Sequence, residues 1–116
     1  METSKRAYHF ALSVIGFIDK LPKDMSAQTI AKQLLRSSTS IGANIIEARA
    51  GSSRRDYTNF VSHSLKSANE TKYWLELLKD ASKCDKEAVA ILVQEADEIS
   101  KILGASILTL KGRRTV

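Results

Sequence analysis

The sequence contains few of the residues that break helices or cross-link chains. Its 116 residues include one proline, five glycines and a single cysteine, Cys84. A lone cysteine cannot form a disulfide within the chain, so we expect a fold that does not depend on an oxidising compartment. So little glycine and proline also argues against a protein built from many tight turns.

Long apolar runs are missing as well. No stretch approaches the roughly 18 uncharged apolar residues that a membrane span requires. Asp19 and Lys20 interrupt the N-terminal apolar run, and no small-residue cleavage site follows, which argues against a signal peptide. We therefore expect a cytoplasmic protein without a membrane partner. A chain of 116 residues also indicates one domain that buries its own core.

Helical periodicity extends along almost the whole chain. Apolar residues recur at spacings of three and four in four segments, as they do on one face of an α-helix. We expect Pro22 to end the first helix and Ser26 to cap the second. Gly51 is suited to the left-handed conformation that often follows a helix end.

The third and fourth helices have boundary signals of their own. Ser53 with Asp56 forms a capping-box pattern. Either Asp85, or Ser82 together with Asp85, is suited to start the fourth helix, and Gly112 to close it. The expected fourth stripe includes Ala88, Leu92, Ala96, Ile99, Leu103, Ser106 and Leu110. No segment alternates with period two, so the sequence predicts an all-α fold. Its simplest form is one antiparallel up-and-down four-helix bundle over residues 1–116.

The chain is mildly basic, with a net charge of +5. Two basic clusters stand out, and they consist of Arg49, Arg54 and Arg55, and of Lys111, Arg113 and Arg114. Such clusters are candidates for nucleic-acid contact, although a basic surface can also serve only solubility. The acidic residues of the fourth helix, which we interpret as solvated surface, are Glu95, Asp97 and Glu98.

Apolar stripes on the first three helices are wider than the arc of about 100° that one bundle seam covers. The residues that we place outside the core seam are Tyr8, Leu12, Leu35, Ile46, Trp74 and Leu77. In water they would form a larger patch than monomers usually expose. The pattern favours an interface between copies of the chain, and the alternative is that long Lys and Arg stems cover these residues.

Polar residues follow one face of the second helix. Arg36, Ser40, Asn44 and Glu47 recur at spacings of four, four and three, and Glu70 lies among apolar neighbours on the third helix. These residues either line a groove that binds a ligand or a phosphate backbone, or form an internal hydrogen-bond network that fixes helix register.

Catalytic and metal-binding patterns are missing from the sequence. We find no metal-ligand spacing, no nucleophile motif and no glycine-rich phosphate loop. Only Glu47, Glu70 and His63 could serve an enzyme, and nothing in the sequence places them together. We expect no enzyme, no metal and no cofactor.

Four motifs carry a resemblance to a known family. They are S-I-G-A-N at 40–44, E-A-R-A at 47–50, D-Y-x-x-F at 56–60 and A-N-E-T-K-Y-W-L at 68–75. The chain resembles the bacterial four helix bundle proteins, which include proteins encoded within intervening sequences of 23S ribosomal RNA genes. The resemblance implies subunits that assemble as ring-like homopentamers. A related branch, the accessory protein of diversity-generating retroelements, is a basic pentamer that engages nucleic acid and a reverse transcriptase.

Two functions follow as expectations. The first is a homo-oligomer that associates non-specifically with RNA or DNA through basic clusters repeated by the assembly. The alternative is an interaction scaffold that recruits a nucleic-acid-processing protein without binding nucleic acid itself.

Overall fold

The computed structural model describes residues 2–115, with side chains described for residues 2–112. Its helices are α1 (Thr3–Asp19), α2 (Met25–Ala50), α3 (Arg54–Asp80) and α4 (Lys86–Thr115). Each helix packs against two others in a cycle, α1 on α2, α2 on α3, α3 on α4 and α4 on α1. Short connections make sequential helices antiparallel. The all-α prediction of four packed helices is therefore confirmed for the described residues.

The start of α2 differs from the prediction. Asp24, and not Ser26, is its N-cap, because the Asp24 carboxylate accepts a hydrogen bond from the Ala27 N–H at 2.9 Å. Ser26 lies inside the first turn and donates to Asp24 at 3.3 Å. The aspartate satisfies a backbone donor that the helix itself leaves unpaired.

Gly51 does not adopt the predicted left-handed conformation. Its φ of −63° and ψ of 145° are extended, because only residues 51–53 are available to lead the chain from α2 into α3. Close approach explains the glycine instead. A Cβ atom at position 51 would lie 3.1 Å from the Ala48 carbonyl oxygen and 3.2 Å from the Asp56 Cβ.

The caps of α3 and α4 agree with the sequence, whereas the predicted end of α4 is wrong. Ser53 accepts a hydrogen bond from the Asp56 N–H at 3.1 Å, and Asp85 accepts one from the Ala88 N–H at 2.9 Å. The fourth helix continues through Gly112 to Thr115. One interior glycine costs about 1 kcal/mol relative to alanine, which a long helix tolerates.

One apolar core runs along the bundle. Leu34 and Ile41 of α2 and Leu75 of α3 are fully buried within it. In α4 the predicted stripe is one residue out of phase near both ends. Val89 and Ile107 are buried where Ala88 and Ser106 were expected. In each case the larger apolar side chain takes the core position, since it removes more area from water.

Buried hydroxyl groups join α2 to α3. Thr71 donates to Ser37 at 2.9 Å, and Ser64 donates to the Ile41 carbonyl oxygen at 2.8 Å. These three hydroxyl-bearing residues are fully buried. Their small side chains let the helices approach closely, and each hydrogen bond is satisfied at only one register of α2 against α3.

Arg6 connects α1 to α4. Its guanidinium donates to Glu95 at 2.7 and 2.9 Å and to Glu98 at 2.7 Å. These glutamates are therefore not the simple solvated surface that the sequence suggested, and Asp97 likewise pairs with Lys72 and Lys101. Hydrogen bonding from Arg6, and secondarily from Gln94, holds the pKa of Glu98 below its ordinary value of 4.5.

This depressed pKa predicts acid sensitivity. Because folded Glu98 binds its proton more weakly than the unfolded chain does, its contribution is present above about pH 4.5 and is lost as pH falls through the lower folded pKa. We expect Arg6→Met to lower stability at neutral pH and to flatten the fall of stability below pH 4.5, measured by urea unfolding. Lys5→Met, at an exposed neighbouring position with the same charge change, is the control. If the unfolding free energy of Arg6→Met falls below pH 4.5 as steeply as that of the wild type, the role assigned to the Arg6–Glu98 pair is contradicted.

Candidate nucleic-acid interface

The antiparallel topology brings basic residues from distant parts of the sequence to one end of the bundle. At this end α1 begins, α2 finishes, α3 begins and α4 finishes. We call it the basic end, and its described cations include Lys5, Arg49, Arg54, Arg55 and Lys111. The two clusters seen in the sequence therefore lie on one surface. The side chains of Arg113 and Arg114 fall outside the described residues.

Two of these cations make contacts within the chain. Arg54 donates to the Leu110 carbonyl oxygen at 2.8 Å, which ties the start of α3 to the end of α4. Arg49 forms an ion pair with Glu2. Lys5, Arg55 and Lys111 are exposed, and we find no hydrogen bond or ion pair from any of them to another described residue. They are the cations most available to an external anion.

The opposite end of the bundle has a mixed charge. Asp24 forms an ion pair with Lys83 at 3.2 Å, and Asp85 is followed directly by Lys86. The hydrogen bond from the Ala27 N–H, followed by that from Lys83, holds the pKa of Asp24 below its ordinary value. Acidic groups here balance the cations, whereas at the basic end the described cations outnumber Glu2, Glu47 and Asp56, so the two ends differ in net charge.

Most of the predicted polar residues of α2 and α3 form two hydrogen-bonded groups between these helices, which together we call the polar network. Arg36 pairs with Glu70, and the Trp74 indole N–H donates to the same carboxylate at 2.9 Å. Further along, Asn44 donates to the Ser40 hydroxyl at 2.9 Å. Ser40 in turn shares a hydrogen bond of 2.8 Å with Ser67, a residue that the sequence did not single out as its partner. Because these groups bond to one another, the arrangement favours a network that fixes helix register over an open ligand groove.

Glu47 is not part of this network. Its side chain is exposed, and among the described residues we find no hydrogen bond or ion pair that it makes. The two arginines of α2 have other partners, since Arg36 pairs with Glu70 and Arg49 with Glu2. Being one turn from the end of α2, Glu47 reduces the positive potential of the basic end.

An apolar groove of about 350 Å³ lies between α1 and α2. Small residues form its floor, where a Cβ atom at Gly42 would lie 3.5 Å from the Ala7 Cβ. Tyr8, Leu12 and Ile46 line it and are 64%, 50% and 56% exposed. We call it the α1–α2 groove. It contains three of the six residues predicted for an interface between copies.

The other three predicted interface residues lie outside this groove. Leu35 is 40% exposed on α2, and Leu77 is 37% exposed on α3. Trp74 is half-buried and packs against the core of its own subunit while it bonds to Glu70. The predicted residues therefore form at least two surfaces.

Among the described residues we find no hydrogen bond or ion pair that joins the candidates for catalysis, Glu47, Glu70 and His63, to one another. Glu70 bonds to Arg36 and Trp74, whereas exposed His63 has a ring contact with Phe60. Burial raises the pKa of the Cys84 thiol, which disfavours a reactive thiolate. Over the described residues we find no group of His, Cys, Asp or Glu that could hold a metal ion, and no helix with the length and hydropathy of a membrane span.

Comparison with known proteins gives a consistent result. The sequence profile of the 23S rRNA-intervening sequence proteins matches residues 1–105. The chain belongs to this family. A crystal structure of a Bacteroides thetaiotaomicron VPI-5482 protein from the S23 ribosomal protein family, described as of unknown function, superimposes with a TM-score of 0.83. The two share 35% identity over 91% of this chain and 98% of the other. No curated protein matches the chain.

The polar network predicts a stabilising role for Glu70. Glu70→Ala leaves the Trp74 indole N–H and the Arg36 guanidinium without their shared acceptor, so we expect a loss of about 1–2 kcal/mol in unfolding free energy. In folded Glu70→Ala, the fluorescence emission maximum of Trp74, the only tryptophan, should shift from its position in the wild type. Glu70→Gln keeps an acceptor and should lose less unfolding free energy. Glu76→Ala, at a more exposed position of α3, should change the unfolding free energy little. Equal effects at positions 70 and 76 would contradict this role.

Proposed function

We propose that this chain forms a homo-oligomer that associates non-specifically with RNA or DNA through its basic end. The supporting observation is the convergence of Arg49, Arg54, Arg55 and Lys111 on one end of the bundle while the other end has a mixed charge. The described cations of the basic end outnumber its carboxylates Glu2, Glu47 and Asp56, and a net positive surface attracts a polyanion.

Binding of this kind is driven by phosphate contacts. Each cation that neutralises a phosphate releases condensed counterions, so affinity falls steeply with salt and depends little on sequence. At this end one subunit offers few exposed cations without described partners, namely Lys5, Arg55 and Lys111. Repetition of this end by symmetry-related copies multiplies the number of phosphates that can be neutralised, which is why the proposal includes assembly.

The α1–α2 groove supports the assembly. Tyr8, Leu12 and Ile46 expose between half and two thirds of their surface around a floor of small residues. Covering this surface with a second copy removes apolar area from water at about 25 cal/mol per Å². The resemblance to ring-forming proteins suggests a closed assembly, and mass measurement in solution determines the number of subunits.

Reversal of one exposed cation tests nucleic-acid binding. In Arg55→Glu we expect weaker binding and a salt dependence whose slope falls by about 0.9 for each phosphate that the protein no longer neutralises. The measurement is a mobility-shift titration at several salt concentrations. Lys86→Glu is the matched control, since Lys86 is also exposed and lies in the first turn of a helix, but at the opposite end. Equal losses in both variants, or no wild-type binding at low salt, would refute the proposal. In the latter case a pull-down after nuclease treatment tests the scaffold function.

A charge placed in the α1–α2 groove tests assembly. We expect Leu12→Glu to reduce the mass measured by light scattering, because a carboxylate buried at an interface without a partner costs several kcal/mol. Leu108→Glu, at a 73% exposed position of α4, should leave the mass unchanged. Circular dichroism verifies that both variants remain helical. An unchanged mass in Leu12→Glu would exclude this groove from the interface.

A further inference from the structure

Tyr57 has an unusual position in α3. It lies four residues before Val61 and seven before Ser64, both of which are buried, so its spacing belongs to the core-facing stripe. Its side chain is nevertheless 40% exposed, whereas Val61 is 4% exposed. A core-facing aromatic residue with this exposure requires a structural reason.

The unequal reach of the helices explains this exposure. Ser64 bonds to Ile41, and the neighbouring Gly42 meets Ala7, so these residues mark one level across α1, α2 and α3. From that level to Tyr57, α3 runs about 10 Å toward the basic end, at 1.5 Å per residue. The first helix begins at Thr3, only about 6 Å beyond Ala7. It therefore stops short of Tyr57, and the ring lies where three helices continue without the fourth.

Several cations lie on the same end of the bundle as Tyr57, together with the carboxylate of its neighbour Asp56. Arg54 precedes Tyr57 by three residues on the same face of α3, and its guanidinium reaches the Leu110 carbonyl oxygen at 2.8 Å. Arg49 lies in the last turn of α2, which packs against α3, and exposed Lys111 follows Leu110. An exposed aromatic side chain on a surface that carries several cations is the combination that binds unpaired bases together with their phosphates.

We propose that the basic end binds single-stranded nucleic acid, with one unpaired base stacked on Tyr57 and adjacent phosphates held by Arg54 and Lys111. This inference rests on the proposed nucleic-acid function and specifies its substrate. A duplex hides its base faces within its own stack and offers only its backbone, so it cannot use the tyrosine ring. Stacking accepts any base, which keeps the binding independent of sequence.

The test compares single strands with duplex. Affinity is measured by fluorescence anisotropy for a labelled mixed-sequence RNA strand, the same sequence as a DNA strand, and the corresponding DNA duplex. Loss of one base–aromatic stack weakens binding by about 5- to 150-fold. We expect that loss in Tyr57→Leu with single strands and a change of less than about twofold with duplex. Tyr57→Phe keeps the ring and should bind as the wild type does, and the two strands together show whether RNA or DNA is preferred.

Tyr73→Leu is the control, because Tyr73 lies on the same helix, is 58% exposed and is remote from the basic end. It should bind every probe normally. Unchanged single-strand affinity in Tyr57→Leu, or an equal loss with duplex, overturns this inference. If Arg55→Glu still weakens duplex binding in that case, the proposed function stands and only the inference about single strands fails. Absence of any binding by the wild type at low salt overturns both.

Discussion

The register of α2 against α3 determines where the other features lie. Buried hydroxyls at Ser37, Ser64 and Thr71 form hydrogen bonds that slide out of reach if either helix moves by one turn. Apolar side chains alone would tolerate such a shift more easily, since the hydrophobic effect has no direction. With this register set, Arg36 meets Glu70, Ser40 meets Ser67, and the linker at 51–53 leads directly into α3.

Local features of the fold could be predicted from the sequence, whereas long-range pairings could not. The caps at Ser53 and Asp85 depend on residues three positions away, and both agree with the structure. The conformation of Gly51 depends on how close α2 and α3 lie, which no local pattern encodes. Arg6 pairs with residues 89 and 92 positions later, so Glu95 and Glu98 looked like solvated surface until α4 was placed beside α1.

In the candidate interface too, local features could be predicted from the sequence and long-range contacts could not. Basic clusters at 49–55 and around 111 are visible in the sequence, and an up-and-down topology is enough to bring them together. Periodicity places Tyr57 in the core, but its exposure depends on the length of α1 relative to its neighbours. The residues predicted for the subunit interface lie on separate surfaces. Trp74 makes its contacts within its own chain, whereas Leu12 and Ile46 are exposed in the α1–α2 groove. A helical wheel shows which side chains leave the core seam and does not show whether the chain covers them.

The contrast between the two ends of the bundle gives the molecule a polarity. Closed assemblies with a single rotation axis place every copy in the same orientation along that axis. If the helices lie roughly parallel to it, all the positive ends form one rim and all the mixed ends form the other. Such a particle has two chemically distinct sides, so it can hold a polyanion on one side and leave the opposite side open to a different molecule.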